Sequence, residues 1–389
     1  MTQLEKQSQE ATEQLCSWVE KRNWAGFDPY DGLNSPVLRL LSLGIKYPRI
    51  AAIQFMKKSP INLRPLLLVK PGHNPKGLGL FLGSYAKLFK ATGDEQYRER
   101  AKEVLQLLKK NVSQGYSGNC WGYNFDWQSR AFFVPKYTPT IVNTSFIAHA
   151  LFEAYEYLGL DEALDLALPI RQFLLKDLNR TQDGNLFCFS YTPIDSIAVH
   201  NASLLGASVL IRLQGYEPDD ESYEAAHSSL AYSMKYQRDD GSWWYAEPEY
   251  QHWIDSFHTG FNLQSIQHFI DRGEALDHQE GYEEGIKYYA ENFFLEDGTP
   301  KYFHDKTFPV DVHSHAQAIV FFSRQGNKYE ELVERVLRNL LTTMRDPKGY
   351  FYFQRYENRT NKIPYMRWTQ SWVLHALSEF ALSRSQRAS

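Results

Sequence analysis

Six long apolar runs recur along the chain at nearly constant intervals: 78–88, 146–158, 204–213, 261–270, 316–322 and 372–382. Each is apolar around most of a helical circumference. A surface helix shows a single apolar stripe, so these runs predict helices buried on all sides. Each opens on a related short segment. These are His73-Asn74-Pro75-Lys76-Gly77, Val142-Asn143-Thr144-Ser145, His200-Asn201-Ala202-Ser203, His258-Thr259-Gly260, His313-Ser314-His315 and Arg367-Trp368-Thr369-Gln370. Equivalent positions are 69, 58, 58, 55 and 54 residues apart, a period that marks a repeat architecture.

A more polar, amphipathic stretch follows each of the first five runs, at 94–111, 161–178, 221–236, 281–293 and 328–344. The sixth partner is the N-terminal stretch 3–21, which closes the set if it packs beside the last run. Turn signals follow four of these stretches: Asp183-Gly184, Asp240-Gly241, Asp297-Gly298 and Asp346-Pro347-Lys348-Gly349. Aromatic residues flank them, a hairpin pattern. The unit is outer helix, aromatic hairpin, inner helix. Six units predict an all-α fold, an (α/α)6 toroid with short aromatic β-hairpins on its rim, formed by residues 1–389 as a single domain.

Composition adds a bound. At 43% hydrophobic the chain has material for a large core. Cys16, Cys120 and Cys188 suit neither a disulfide framework nor a metal site. No stretch is long and apolar enough to span a bilayer, and the N-terminus lacks the apolar core of a signal peptide. A soluble, cytoplasmic protein is the expectation. Charge is distributed unevenly. Residues 32–93 hold ten cations and no acid; the net charge is −4, so the remainder carries −14. With the apolar residues between them, these cations suggest peripheral contact with an anionic membrane. No nucleic-acid partner is expected.

In such a toroid every outer-to-inner connection lies on one rim, where the inner helices present free N–H groups to the opening. His73, His200, His258 and His313 fall at one repeat position, and Arg367 fills it in another repeat. Asp255 precedes His258 by three residues, and Asp311 precedes His313 by two. A carboxylate beside an imidazole fixes its tautomer and suits acid–base chemistry, although an Asp there also caps a helix. His200, His258, His313, Asp255 and Asp311 are therefore the catalytic candidates, expected to converge on one cavity. Trp127, Trp243, Tyr245, Trp253, Tyr365 and Trp368 fall in rim connections and suit ring stacking. With Asp126, Arg130, Arg367 and His73 they form the candidate substrate site. His313 and His315 point to different sides of a helix, so a metal pair is not expected. No cofactor motif is present.

Several strings resemble a bacterial family, the VpsJ-type exopolysaccharide biosynthesis proteins. They are Asp28-Pro29-Tyr30-Asp31-Gly32-Leu33-Asn34, Phe125-Asp126-Trp127-Gln128, Thr138-Pro139-Thr140-Ile141-Val142-Asn143-Thr144, Phe257-His258-Thr259-Gly260-Phe261-Asn262 and Pro364-Tyr365-Met366-Arg367-Trp368. The resemblance implies a saccharide or lipid-linked saccharide as partner. The δ-aminolevulinic acid dehydratase activity attached to some members needs a lysine-bearing β/α barrel, and this helical sequence gives it no support. Two looser likenesses are to sugar 2-epimerases, which place histidines around a toroid mouth, and to terpene cyclases and prenyltransferases, through Gln237-Arg238-Asp239-Asp240-Gly241-Ser242-Trp243. The expected function is a carbohydrate-active enzyme of epimerase, lyase or glycoside hydrolase type. A non-catalytic saccharide-binding scaffold and a terpenoid-type toroid are the alternatives.

Overall fold

The computed structural model describes residues 1–129 and 132–388. The helices are α1 (Gln3–Glu20), α2 (Pro36–Leu41), α3 (Lys46–Lys58), α4 (Pro75–Thr92), α5 (Glu95–Lys110), α6 (Ile141–Leu158), α7 (Asp161–Ala167) and α8 (Ile170–Lys176). They continue with α9 (His200–Leu213), α10 (Asp220–Lys235), α11 (Ser256–Ile270), α12 (Gln279–Asn292), α13 (Val312–Ser323), α14 (Glu330–Thr343) and α15 (Trp372–Ala388). A π-helical turn, Met366–Ser371, leads into α15.

The inner ring is α4, α6, α9, α11, α13 and α15. Each packs on the next, and α15 returns to α4. The outer ring is α5, α7–α8, α10, α12, α14 and α1, each against its own inner helix, and α1 also touches α14. The fold is thus the six-hairpin toroid that the repeat predicts, closed by the N-terminal helix. The 161–178 stretch is two helices rather than one. Pro169 lies between them; without an N–H it cannot continue the hydrogen-bond ladder.

Strand content is smaller than the turn signals suggest. β3 (Arg180–Asp183) and β4 (Leu186–Phe189) make a true hairpin at Asp183-Gly184. The other three turns carry only isolated bridges or adjoin the small sheet of β5 (Val310–Asp311), β6 (Gln354–Arg355) and β7 (Thr360–Asn361). Their aspartates close the turn locally: Ser242 N–H donates to Asp240, Thr299 N–H to Asp297 and Lys348 N–H to Asp346. Such Asx-turns replace ladder bonds. A hairpin that the turn signals did not mark, β1 (Trp127–Gln128) with β2 (Phe133–Val134), stands on the rim.

The axis of the ring is filled. Midway, Phe146, Phe261 and Trp372 meet at centroid distances of 5.0–5.5 Å. Further from the rim, Lys87 pairs with Glu153 at 2.6 Å, Arg324 holds Glu379 through two bonds, and His149 stacks on His268. These pairs close the toroid at the C-terminal ends of the inner helices, so its opening is on the rim side. Close approach of α4 to α6 depends on Gly79. A Cβ there would lie 2.7 Å from Ile147 Cγ1 and 3.2 Å from its Cα. Gly79→Ala is expected to lose about 1–3 kcal/mol of stability, measured by denaturant unfolding, since the added methyl would meet the Ile147 backbone as well as its side chain.

Candidate functional site

The rim opening leads into a cavity of about 730 Å³. Thirteen of its lining residues are aromatic, among them Tyr30, Tyr123, Trp127, Tyr191, Tyr245, Trp253, Phe257, Tyr302 and Trp368. Lys57, Lys58 and Arg367 supply positive charge. Among the described lining residues Asp255 is the only carboxylate and His258 the only imidazole.

These two residues are joined by local helix geometry. Asp255 is the N-cap of α11, and its Oδ1 accepts the His258 backbone N–H at 3.0 Å. The third residue of the helix faces back over the cap, as in a capping box. Here that residue is His258, and its Nδ1 lies 2.6 Å from Asp255 Oδ2. A carboxylate oxygen accepts here, so Nδ1 carries a hydrogen and Nε2 is the ring nitrogen left for the cavity. Trp253 Nε1 donates to the same Oδ2 at 3.2 Å. Asp255 is 2% exposed, while the His258 side chain is 25% exposed and reaches the cavity. Asp255 therefore caps the helix and orients the imidazole at once. The sequence reading posed these roles as alternatives.

Around the pair, Tyr245 stacks on Trp253 at 4.6 Å and leans on His258 at 4.7 Å. Burial pushes the hydroxyls of Tyr123, Tyr191, Tyr245 and Tyr302 above their ordinary value. They stay protonated and can donate to a hydroxyl-rich ligand; none competes with His258 as a base. Arg367 is fixed by Asp28, which takes Nε and Nη2. Lys57 Nζ donates to Tyr30 Oη at 2.7 Å.

The three catalytic histidines expected to converge do not. His200 is buried behind the rim, with Nε2 2.7 Å from Glu247 Oε1 and its ring near Tyr232 and Tyr236. Val199 at its helix start offers no capping side chain to steer the ring. His313 is 2% exposed, stacked on Phe257 at 4.5 Å and packed against Trp372 at 4.1 Å, with neither ring nitrogen bonded. Burial, and next the nearby Lys76, hold it well below the ordinary histidine range, so it is a neutral part of the packing. Asp311 lies only two residues before His313. It accepts that backbone N–H but not the ring, and uses its oxygens for Gln354 and Trp368 Nε1.

Of the expected substrate residues, Trp127, Tyr245, Trp253, Arg367 and Trp368 line the cavity. His73 faces the Asn23 carbonyl at 2.7 Å. Asp126 accepts from Lys136 N–H behind the β1–β2 hairpin. Trp243 is buried, donating to Ser233 O, and Tyr365 is buried beside Arg64. Arg130 lies outside the described residues. Tyr30, Lys57, Lys58, Tyr123, Tyr191 and Tyr302 were missed. The tyrosines carried a usable signal, since they stand in the same aromatic rim connections.

Asp311 yields a pH prediction. Burial pushes its carboxyl up to about 6, so the folded state holds this proton more tightly than the unfolded chain. The associated stability is fully present below the unfolded value near 4 and is lost as pH rises through about 6. Relative to Asp311→Asn, the wild type is expected to lose on the order of 3 kcal/mol across that window. Denaturant unfolding of both proteins between pH 4 and pH 7 checks the slope.

No family model matches the chain, and no curated protein matches it in sequence. Solved structures do match in fold. Cellobiose 2-epimerase from Bacillus thermoamylovorans is similar at TM-score 0.62 and 14% identity, over 81% of this chain and 88% of that one. An α-mannanase from Bacteroides thetaiotaomicron is similar at TM-score 0.63 and 14% identity, over 83% and 89%. An unsaturated glucuronyl hydrolase specific for heparin is similar at TM-score 0.62 and 14% identity, over 97% and 96%. At this identity the likeness establishes the class of fold, an (α/α)6 toroid.

Proposed function

We propose that this chain is a carbohydrate-active enzyme of polysaccharide biosynthesis, in which His258, oriented by Asp255, moves a proton to or from a sugar carbon. The His258–Asp255 pair carries the reading. It offers an oriented imidazole, with Nε2 not engaged by Asp255, at the wall of an aromatic cavity. Trp127, Trp253 and Trp368 offer faces for sugar rings, and the protonated tyrosines offer donors to hydroxyls. Lys57 and Lys58 suit an anionic group such as a uronate carboxylate or a sugar phosphate.

A single carboxylate among the described lining residues favours proton transfer over hydrolysis. Glycoside hydrolysis ordinarily places two carboxyl groups across the scissile bond. Proton abstraction next to a carbonyl or carboxylate needs one base and a stabilised enolate, and His258 with the nearby cations matches that demand. Epimerisation and β-elimination both begin with this step. The fold neighbours include an epimerase as well as glycoside hydrolases, and the exopolysaccharide-family strings support a saccharide ligand without selecting the reaction. The aromatic wall also favours a second reading, an isoprenoid ligand. Calorimetric titration with neutral oligosaccharides, uronates, nucleotide sugars and short polyprenyl phosphates tests the proposal. A uronate or sugar phosphate should bind in the micromolar to millimolar range, and Trp253→Ala should weaken it. Binding of polyprenyl compounds alone would favour the second reading.

A further inference from the structure

One part of the chain stands outside the ring. Helix α2 buries none of its residues, and α3 buries only Ile53 and Met56. Eighteen large hydrophobic side chains are exposed among the described residues, and ten of them lie between positions 37 and 68. Leu40, Leu43 and Leu66 are 73%, 75% and 79% exposed. An apolar density of this kind on one short segment exceeds the scattered exposure usual for a protein surface.

Part of the segment adjoins the cavity. Leu40, Leu43 and Arg49 line one shallow recess of about 260 Å³ beside the β1–β2 hairpin. The next residue, Ile50, lines the main cavity together with Gln54, Lys57 and Lys58. Helix α3 is therefore the wall between the exposed apolar crest and the cavity mouth. Leu43 and Leu68 hold positive φ angles of 47° and 58°. Branched side chains rarely adopt that conformation, and here it is spent on displaying leucines to the outside.

Charge indicates what covers the crest. Not all ten cations of the segment are free. Arg64 is buried against Asp31, Lys87 against Glu153, and Lys76 among Phe146, Phe261 and Trp372. Lys57 is bonded to Tyr30. Lys46, Lys58 and Lys70 remain exposed around the crest, with Arg39 close to Asp126. No acidic residue occurs from 32 to 93 to oppose them. No described helix is long and apolar enough to cross a membrane. Apolar tips ringed by cations match the interface of an anionic bilayer, where tips enter the acyl boundary and cations meet phosphates.

We propose that the 36–70 segment docks the protein on an anionic membrane and holds the cavity mouth against it, where a lipid-linked saccharide could enter without leaving the bilayer. The docking stands on the crest and its charges alone; the substrate route rests on the saccharide reading above.

Vesicle co-sedimentation tests the docking. Wild type should sediment with phosphatidylglycerol-containing vesicles, less so in raised salt, and poorly with phosphatidylcholine alone. Leu40→Gln/Leu41→Gln/Leu66→Gln should cut the partition by about 10-fold or more, and Lys46→Gln/Lys70→Gln should weaken it and flatten its salt dependence. Both variants should keep the wild-type melting temperature, since none of these side chains is packed. They should also keep activity on a water-soluble saccharide, so a failed membrane test leaves the catalytic reading separately measurable. Wild type that stays in the supernatant with every vesicle overturns the proposal. So does a leucine variant that still sediments like wild type. A wild-type dimer that the leucine variant converts to monomer, with no vesicle binding, would assign the crest to a second copy of this chain instead.

Discussion

Replacing His258 by Gln is expected to lower kcat by about 10²–10⁴-fold while saccharide affinity changes little. The expectation follows from where the imidazole sits. Its Nδ1 is committed to Asp255, and Nε2 is the group left to exchange a proton with a ligand. The backbone N–H of residue 258 still reaches Asp255 Oδ1 in the variant, so the helix cap survives the substitution. Steady-state kinetics paired with calorimetry separates the two quantities. A fall in affinity with unchanged kcat would make His258 a binding group. Asp255→Asn should cost activity as well, because an amide that donates to Nδ1 would favour the opposite tautomer.

Arg367→Met is expected to destabilise the fold by about 3–5 kcal/mol. Arg367 and Asp28 are 3% and 4% exposed, and the guanidinium holds the carboxylate through two nitrogens. Removing the cation alone strands a buried anion. The pair also ties the start of the chain to its end. Met366 N–H donates to Phe27 O, and Arg64 connects Asp28 O, Asp31 and Tyr365 in the same knot. The double variant Asp28→Asn/Arg367→Met should be less destabilised than the two single changes summed, since it leaves no unpaired charge. Denaturant unfolding of the three variants checks both statements. An Arg367→Met protein as stable as wild type would mean that water reaches this corner.

The ring was legible because its inner helices are buried on every side, so their apolar runs stand out wherever they begin. Five starts fall within two residues of the repeat positions, and the sixth does when the π-helical turn at Met366 is counted with α15. Among the catalytic candidates, the site was legible only at α11, although Trp127, Tyr245, Trp253, Arg367 and Trp368 were also foreseen in the cavity wall. Repeat equivalence puts each histidine at the rim but does not decide which way its ring turns. At His258 an Asp three residues earlier captures the imidazole. At His313 the Asp is two residues earlier and captures only the backbone, leaving the ring to stack on Phe257. At His200 the partner is Glu247, 47 residues on, a contact that no local pattern announces. The basic segment was legible only in part. Composition counted ten cations together, but Lys76 and Lys87 are buried in the ring, Arg64 is buried against Asp31 and Tyr365, and Lys57 lies in the cavity wall. The exposed leucines between them turned out to be its more distinctive feature.

Solvent proton exchange tests the central claim most directly. Uronates and sugar phosphates that bind the protein would be incubated with it in deuterium oxide and followed by proton NMR. The account predicts that wild type incorporates deuterium at a carbon next to the carbonyl or carboxylate, with or without net conversion, and that His258→Gln does not. A bound saccharide that is turned over with no exchange at any carbon, or exchanged equally well by His258→Gln, would contradict it.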